Sequence, residues 1–186
     1  TIWWYEDGQV QEIRGARGTY EIGADAQSLP YWQFNLTGLY SRPENAPTVQ
    51  GAESTVAGEV PINKQNSTFT LFGYPARLQA FSQNAGNQVE YRNLVGYEGV
   101  HITDRRVTGN ISIEAPALAD FNAFEKAESH QGVTLGAVAL THGTTPGNII
   151  KAEGLQAQAA NITPSDNQGI MHYGMEIRYL PTGSND

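Results

Sequence analysis

The chain has 186 residues, no cysteine, and 19 acidic against 11 basic side chains, for a formal net charge of −8. That length suits one domain spanning residues 1–186, which at this size buries about 70% of its unfolded surface and needs no covalent staple. The missing cysteines exclude disulfides, thiolate zinc sites and cysteine nucleophiles, and the acidic surplus excludes a generic nucleic-acid-binding surface.

Only 16% of residues are charged and 39% are hydrophobic. The remaining polarity comes from Gly, Thr, Asn, Gln and Ser, a mixture that favours turn-rich β structure over helical bundles. No run approaches the roughly 20 apolar residues of a membrane span, and no basic-then-apolar stretch of the signal-peptide kind is present. Thr1 rather than Met stands first, which suits a processed chain or a fragment equally.

In chain order, "WWY" (Trp3 to Tyr5) and Tyr31-Trp32 are aromatic clusters. They could form a sugar-stacking platform, although core and interface aromatics are commoner. In "YWQFNLTGLY", Trp32, Phe34 and Leu36 alternate with Gln33, Asn35 and Thr37, the pattern of a half-buried strand. Residues Ser41 to Ser67 carry three prolines and little periodicity, and a loop of that length in a compact domain is usually functional or mobile. "TFTLFGY" resumes the alternation through Phe69 and Leu71. A turn is expected near Ala85-Gly86-Asn87.

In "HITDRRVTGNISIEA" a charged turn, Asp104 to Arg106, feeds a strand with Val107, Gly109, Ile111 and Ile113 on one face. Pro116 to Glu128 breaks the period: Pro116 falls in a first helical turn, and Leu118, Phe121 and Phe124 form one stripe. A helix over about 116–128 follows, with Glu125, Lys126 and Glu128 solvated. "VTLGAVALTH" places Val133, Leu135, Ala137 and Ala139 on one face, and "HGTTPGN" reads as a hairpin loop. After the turn "SDNQG", the strand "IMHYGMEIRYL" alternates Met171, Tyr173, Met175, Ile177 and Tyr179 with His172, Gly174, Glu176 and Arg178. Strands with one polar face point to antiparallel sheets with a solvated side.

The chemistry-bearing residues show no catalytic spacing. Glu90, Asp104, Glu114, Asp120 and Glu176 lie in or beside regular elements, where acids are far more often solvated than paired for catalysis. His101, His130, His142 and His172 show no metal-ligand spacing, and His172 on a polar strand face reads as a surface histidine. There is no GxSxG elbow and no phosphate-cradling glycine loop. Four N-x-S/T triplets, at Asn35, Asn66, Asn110 and Asn161, read as products of strand alternation. No catalytic, cofactor or metal site is expected.

Read in order, the phrases "FNLTGLY", "GNQVEYR…GYEGVHITDRRVTGNISIE", "TPGNIIKAE" and "DNQGIMHYGMEIRYLP…GND" resemble the tail tube (major tail) proteins of bacteriophages with long, non-contractile tails. The resemblance runs from about Gly15 to Asp186; contractile-tail tubes share the fold. It implies a mainly β, antiparallel β-sandwich or barrel-like fold with one flanking α-helix. It also implies a structural virion protein rather than an enzyme, with no cofactor. Family members form hexameric rings that stack into a hollow tube around a tape-measure protein, and DNA later passes through the lumen without specific binding. The implied partners are further copies of the chain, the tape-measure protein, and tail terminator and distal tail proteins. No membrane is involved, and assembly takes place in the bacterial host cytoplasm. Members often carry further N-terminal sequence, so this chain could be the C-terminal part of a longer one.

Under that reading Asp104, Arg105 and Arg106 become candidates for pairing across a subunit seam. Arg42 and Lys64 are further interface candidates in the long loop, itself the candidate for ring-to-ring contact. The runner-up is a carbohydrate- or cell-surface-binding β-sandwich module that uses the exposed aromatics.

Overall fold

The computed structural model describes residues 1–47, 58–128, 130 and 132–182. Its elements are β1 (Ile2–Glu6), β2 (Gln9–Asp25), β3 (Tyr31–Tyr40), β4 (Glu44–Asn45), β5 (Ser67–Leu71), β6 (Tyr74–Pro75) and β7 (Leu78–Asn84). There follow β8 (Asn87–Leu94), β9 (Tyr97–Arg105), β10 (Thr108–Glu114), α1 (Ala123–Ala127), β11 (Gly136–His142), β12 (Ile150–Asn167) and β13 (Ile170–Tyr179). The fold is mainly β with antiparallel sheets and one short helix among the described residues, as the alternating patterns and the family resemblance require. The chain divides into two compact units. Unit 1 is Thr1–Tyr20, Phe34–Ala57 and Gly86–Arg105; unit 2 is Glu21–Gln33, Gly58–Ala85 and Arg106–Asp186.

Unit 2 holds the hydrophobic core. The end of β2 pairs with β7, and the order continues through β10, β13, β12, β11, β5 and β6. Register sets the core row by row: Ile111 lies between Phe81 and Met175, Ile113 beside Tyr173, and Ile177 between Gly109 and Ala159. Farther along, Leu140 pairs with Phe69 and Ala152, and Val138 with Leu71. Phe81, Leu71, Ile113, Leu140, Ile177 and Val138 are fully buried, each contributing about 1.5–3 kcal/mol of transfer free energy. Phe69 on β5 meets Phe81 on β7 edge-on, at 6.2 Å between centroids. Two strands far apart in sheet order therefore touch, so the twisted sheet curls its apolar face around a single core.

The helix is shorter than the 116–128 span predicted from the stripe. The Ala117 carbonyl accepts the N–H groups of both Asp120 and Phe121, which closes a separate turn. Asn122 then caps the helix by accepting the Glu125 N–H at 3.3 Å. Phe121 is buried and stacks on Tyr74 at 5.0 Å, and Phe124 meets Tyr173 edge-on at 5.3 Å. Leu118, the third member of the stripe, is exposed.

Two faces differ from the sequence reading. In β11 the buried residues are Val138, Leu140 and His142, and Val133 and Leu135 are exposed, so the inward phase is opposite to the predicted one. Val133 and Leu135 precede the strand, and the larger side chains of its regular part take the core. His172 is buried rather than on the surface, with its ring Nδ1 3.1 Å from the Ile170 carbonyl. It lies beside Glu114 of β10 and Ser165 of β12, with a strand on each side.

Unit 1 has a different character. β1 pairs with β2 from Ile2↔Ile13 to Glu6↔Gln9 across an Asp7-Gly8 turn, both residues having positive φ. β4 pairs with the same start of β2. β8 and β9 form a two-stranded hairpin closed at Leu94↔Tyr97, with Gly96 at φ +82. Val100 is the one buried apolar residue among those described in unit 1. β3, predicted to be half-buried, leaves Trp32, Phe34 and Leu36 exposed. Of the Ser41–Ser67 loop, residues 48–57 lie outside the described residues. Its later part is anchored in unit 2: Ile62 is buried, donates its N–H to Ser28 and accepts from Gln27.

Candidate functional site

The titratable residues singled out from the sequence lie in separate local environments. Glu114 pairs with Arg77, and Glu176 accepts the Asn161 side-chain amide at 2.8 Å. Among the described residues no cluster of three or more His, Asp or Glu could hold a metal ion. His142 is buried with its Nδ1 2.8 Å from the Ser67 hydroxyl. No helix among the described residues is long and apolar enough to cross a membrane.

What the molecule offers is surface. In unit 1, eleven large apolar side chains are exposed, including Trp3, Trp4 and Tyr5 on β1, Phe34 and Tyr40 on β3, and Tyr91, Leu94, Val95, Tyr97 and Ile102 on the hairpin. An isolated two-stranded hairpin is marginally stable in water, and this one compensates with side-chain ties on both faces. On one face the Tyr91 hydroxyl donates to Glu98 at 2.6 Å and receives the Asn93 amide at 3.3 Å. The Glu98 carboxylate raises the Tyr91 pKa, because it favours the protonated phenol. On the other face Tyr97 lies over Gly99, where an added Cβ would stand 2.4 Å from its hydroxyl, and reaches His101.

In unit 2 the face opposite the core is polar and made of small residues. β7 contributes Ala80 and Ser82, β10 Asn110 and Ser112, and β13 Gly174 and Glu176, around a shallow depression of about 490 Å³ that also includes Asp25 and Tyr31. No Lys or Arg lines it. A β-bulge between Ala160 and Thr163 holds Asn161 at φ +50, and its amide fixes the Glu176 carboxylate. A second, deeper pocket of about 670 Å³ has an apolar floor of Ile62, Phe69, Leu78 and Leu140, with Lys64 and Arg77 at its edge.

The five candidate interface residues lie on loops and strand ends and are exposed. Asp104 and Arg105 end β9, with the Arg105 N–H donating to the Asp104 carboxylate at 2.8 Å. Arg106 begins the link to β10, so the turn sits one to two residues later than predicted. Arg42 follows β3, and Lys64 lies in the turn before β5. None of the five forms an ion pair with another described residue. The apolar hairpin tip was not identified from the sequence, although "NLVGYE" carries its signal: two aliphatic residues directly before a turn glycine.

A comparison with curated proteins returns no match for this chain. The family model described as "Phage tail tube protein" matches residues 1–179, nearly the whole chain and both compact units. The mainly β architecture and that match agree, and the chain belongs to the phage tail tube protein family, structural components of the virion tail.

Proposed function

We propose that this subunit self-assembles into hexameric rings that stack into the tail tube and form the conduit for DNA ejection. The supporting observation is the contrast between the units. Unit 2 exposes thirteen large apolar residues beside a well-filled core, whereas unit 1 exposes eleven and, among its described apolar residues, buries only Val100. A unit that buries so little of its apolar surface gains stability when a partner covers it. Copies of the chain are the partner a tube requires.

The polar face of unit 2 is the candidate lumen wall. Asp25 and Glu176 carry its charge and Ser82, Ser112 and Thr163 its hydroxyls. The depression itself repels a polyanion, while Arg178, on the same face of β13, and Arg106 lie beside it next to Asn110 and Glu176. Asp104, Arg105, Arg106, Arg42 and Lys64 remain candidates for seam contacts, and the Ser41–Ser67 loop for contact between rings. In this reading the tape-measure protein occupies the lumen, terminator and distal tail proteins close the ends, assembly takes place in the host cytoplasm, and the subunit catalyses nothing.

Negative-stain microscopy of the purified protein at rising concentration tests the proposal. Rings or tubes are expected; a monomer at every concentration overturns it.

A further inference from the structure

The tip of the β8–β9 hairpin and the floor of the second pocket of unit 2 are both apolar. At the hairpin tip Val95 is fully exposed and Leu94 about half exposed. Tyr97, the other apolar residue there, is folded back over Gly99 toward His101. Leu94 and Val95 therefore project alone as an aliphatic knob. The ties from Tyr91 to Glu98 and from Asn93 to Tyr91 hold the strands beneath the knob in one arrangement, so little side-chain entropy remains to be lost on docking.

The pocket is the matching hole. Its floor is apolar, formed by Ile62, Phe69, Leu78 and Leu140, and its volume of about 670 Å³ admits several side chains. Its edge is basic, with Lys64 exposed and without an ion pair among the described residues. The hairpin carries the carboxylates of Glu90, Glu98 and Asp104 against the cations of Arg92 and Arg105, a surplus of one acid that is opposite in sign to Lys64.

We propose that Leu94 and Val95 of one subunit seat in the Ile62–Phe69–Leu78–Leu140 pocket of a second copy of this chain. The inference rests on the self-assembly reading and specifies one of its contacts. The knob belongs to unit 1 and the hole to unit 2, so the contact joins two different patches. It is heterologous, and each copy keeps a free knob and a free hole for further copies. Contacts of this kind close into rings or propagate as filaments.

The absence of cysteine makes the test direct. Val95→Cys is placed in one preparation and Thr68→Cys, at the pocket, in another that carries a size tag. The two are mixed, assembled and oxidised. A covalent heterodimer is expected from the mixture, because a disulfide requires Cα atoms within about 7 Å. Assemblies that form normally without the heterodimer, or with Val95→Cys linked only to itself, overturn the contact while leaving the self-assembly reading intact. Wild-type protein that forms no rings at all overturns both. A second variant guards against misfolding: Val95→Asp should raise the concentration needed for assembly about tenfold or more with an unchanged melting temperature. Unchanged assembly of that variant also overturns the contact.

Discussion

Two glycines on neighbouring strands of the unit 2 sheet should respond oppositely to the same substitution. A Cβ added at Gly109 would stand 2.5 Å from the Ser82 carbonyl oxygen, a backbone atom of the adjoining strand β7. Backbone in a paired strand cannot rotate aside, so the ladder must shift, and overpacking of this kind costs about 1–3 kcal/mol. At Gly174 the nearest atom is the Thr163 carbonyl oxygen at 3.6 Å, an ordinary contact. Neither glycine has positive φ, so alanine fits both backbones and lowers the unfolded-state entropy, a gain of about 0.4–1 kcal/mol. Gly174→Ala should thus be neutral or mildly stabilising, and Gly109→Ala should be destabilised relative to it by about 1–3 kcal/mol. At about 2–4 °C per kcal/mol for a chain of this size, the melting temperatures should differ by roughly 2–12 °C. Far-UV circular dichroism of dilute protein measures this without a contribution from assembly. Gly109→Ala melting at or above Gly174→Ala would refute the reasoning.

Three further outcomes are expected. Phe81→Ala, at the centre of the core and in contact with Phe69, should cost about 3–5 kcal/mol in urea unfolding; a loss below 1 kcal/mol would mean the core collapses around the gap. Burial pushes the Tyr179 phenol well above its ordinary value of 10.0, so its folded pKa exceeds the unfolded one. The resulting stabilisation is complete below pH 10 and declines as pH rises beyond it, because the unfolded chain ionises first; Tyr179→Phe should flatten that decline in alkaline melting curves. Arg105→Ala and Arg106→Ala should weaken assembly in sedimentation while leaving the melting temperature within about 1 °C, since neither pairs with another described side chain; a large drop in melting temperature would assign them a role within the subunit.

The strands were legible wherever large apolar residues alternate over several positions, as in "GNISIE" and "YGMEIRY", because period two is a direct image of the pleat. Legibility failed where the alternation is between small residues. In "GAVALTH" alanine occupies the odd positions and Val138, Leu140 and His142 the even ones, and only packing volume decides which set turns inward. His172 was misread because strand alternation separates two faces but does not show how exposure varies along one of them: His172 is buried while Glu176 and Arg178 on the same face are exposed. The helix was overextended because Pro116 and the Leu118–Phe121–Phe124 spacing suit a helix locally, whereas the Phe121–Tyr74 stack and the Asn122 cap depend on tertiary neighbours. The turn assigned to Asp104 to Arg106 lies one to two residues later, because β9 pairs with β8 as far as Arg105. The apolar knob at the other end of the hairpin went unseen, because exposure of Leu94 and Val95 is a property of the hairpin's position and not of its sequence period.

The exposed apolar surface of unit 1 sits on a chain with a net charge of −8, and the two act over different ranges. Apolar burial attracts only at contact, whereas like charge repels across a Debye length of about 10 Å at 0.1 M salt. Free subunits thus meet an electrostatic barrier before any knob can find a hole. Ionic strength sets the height of that barrier, so salt should accelerate nucleation more than it alters the finished polymer. On the proposed self-assembly, the acidic surplus would act as a timer that slows the first encounters between subunits.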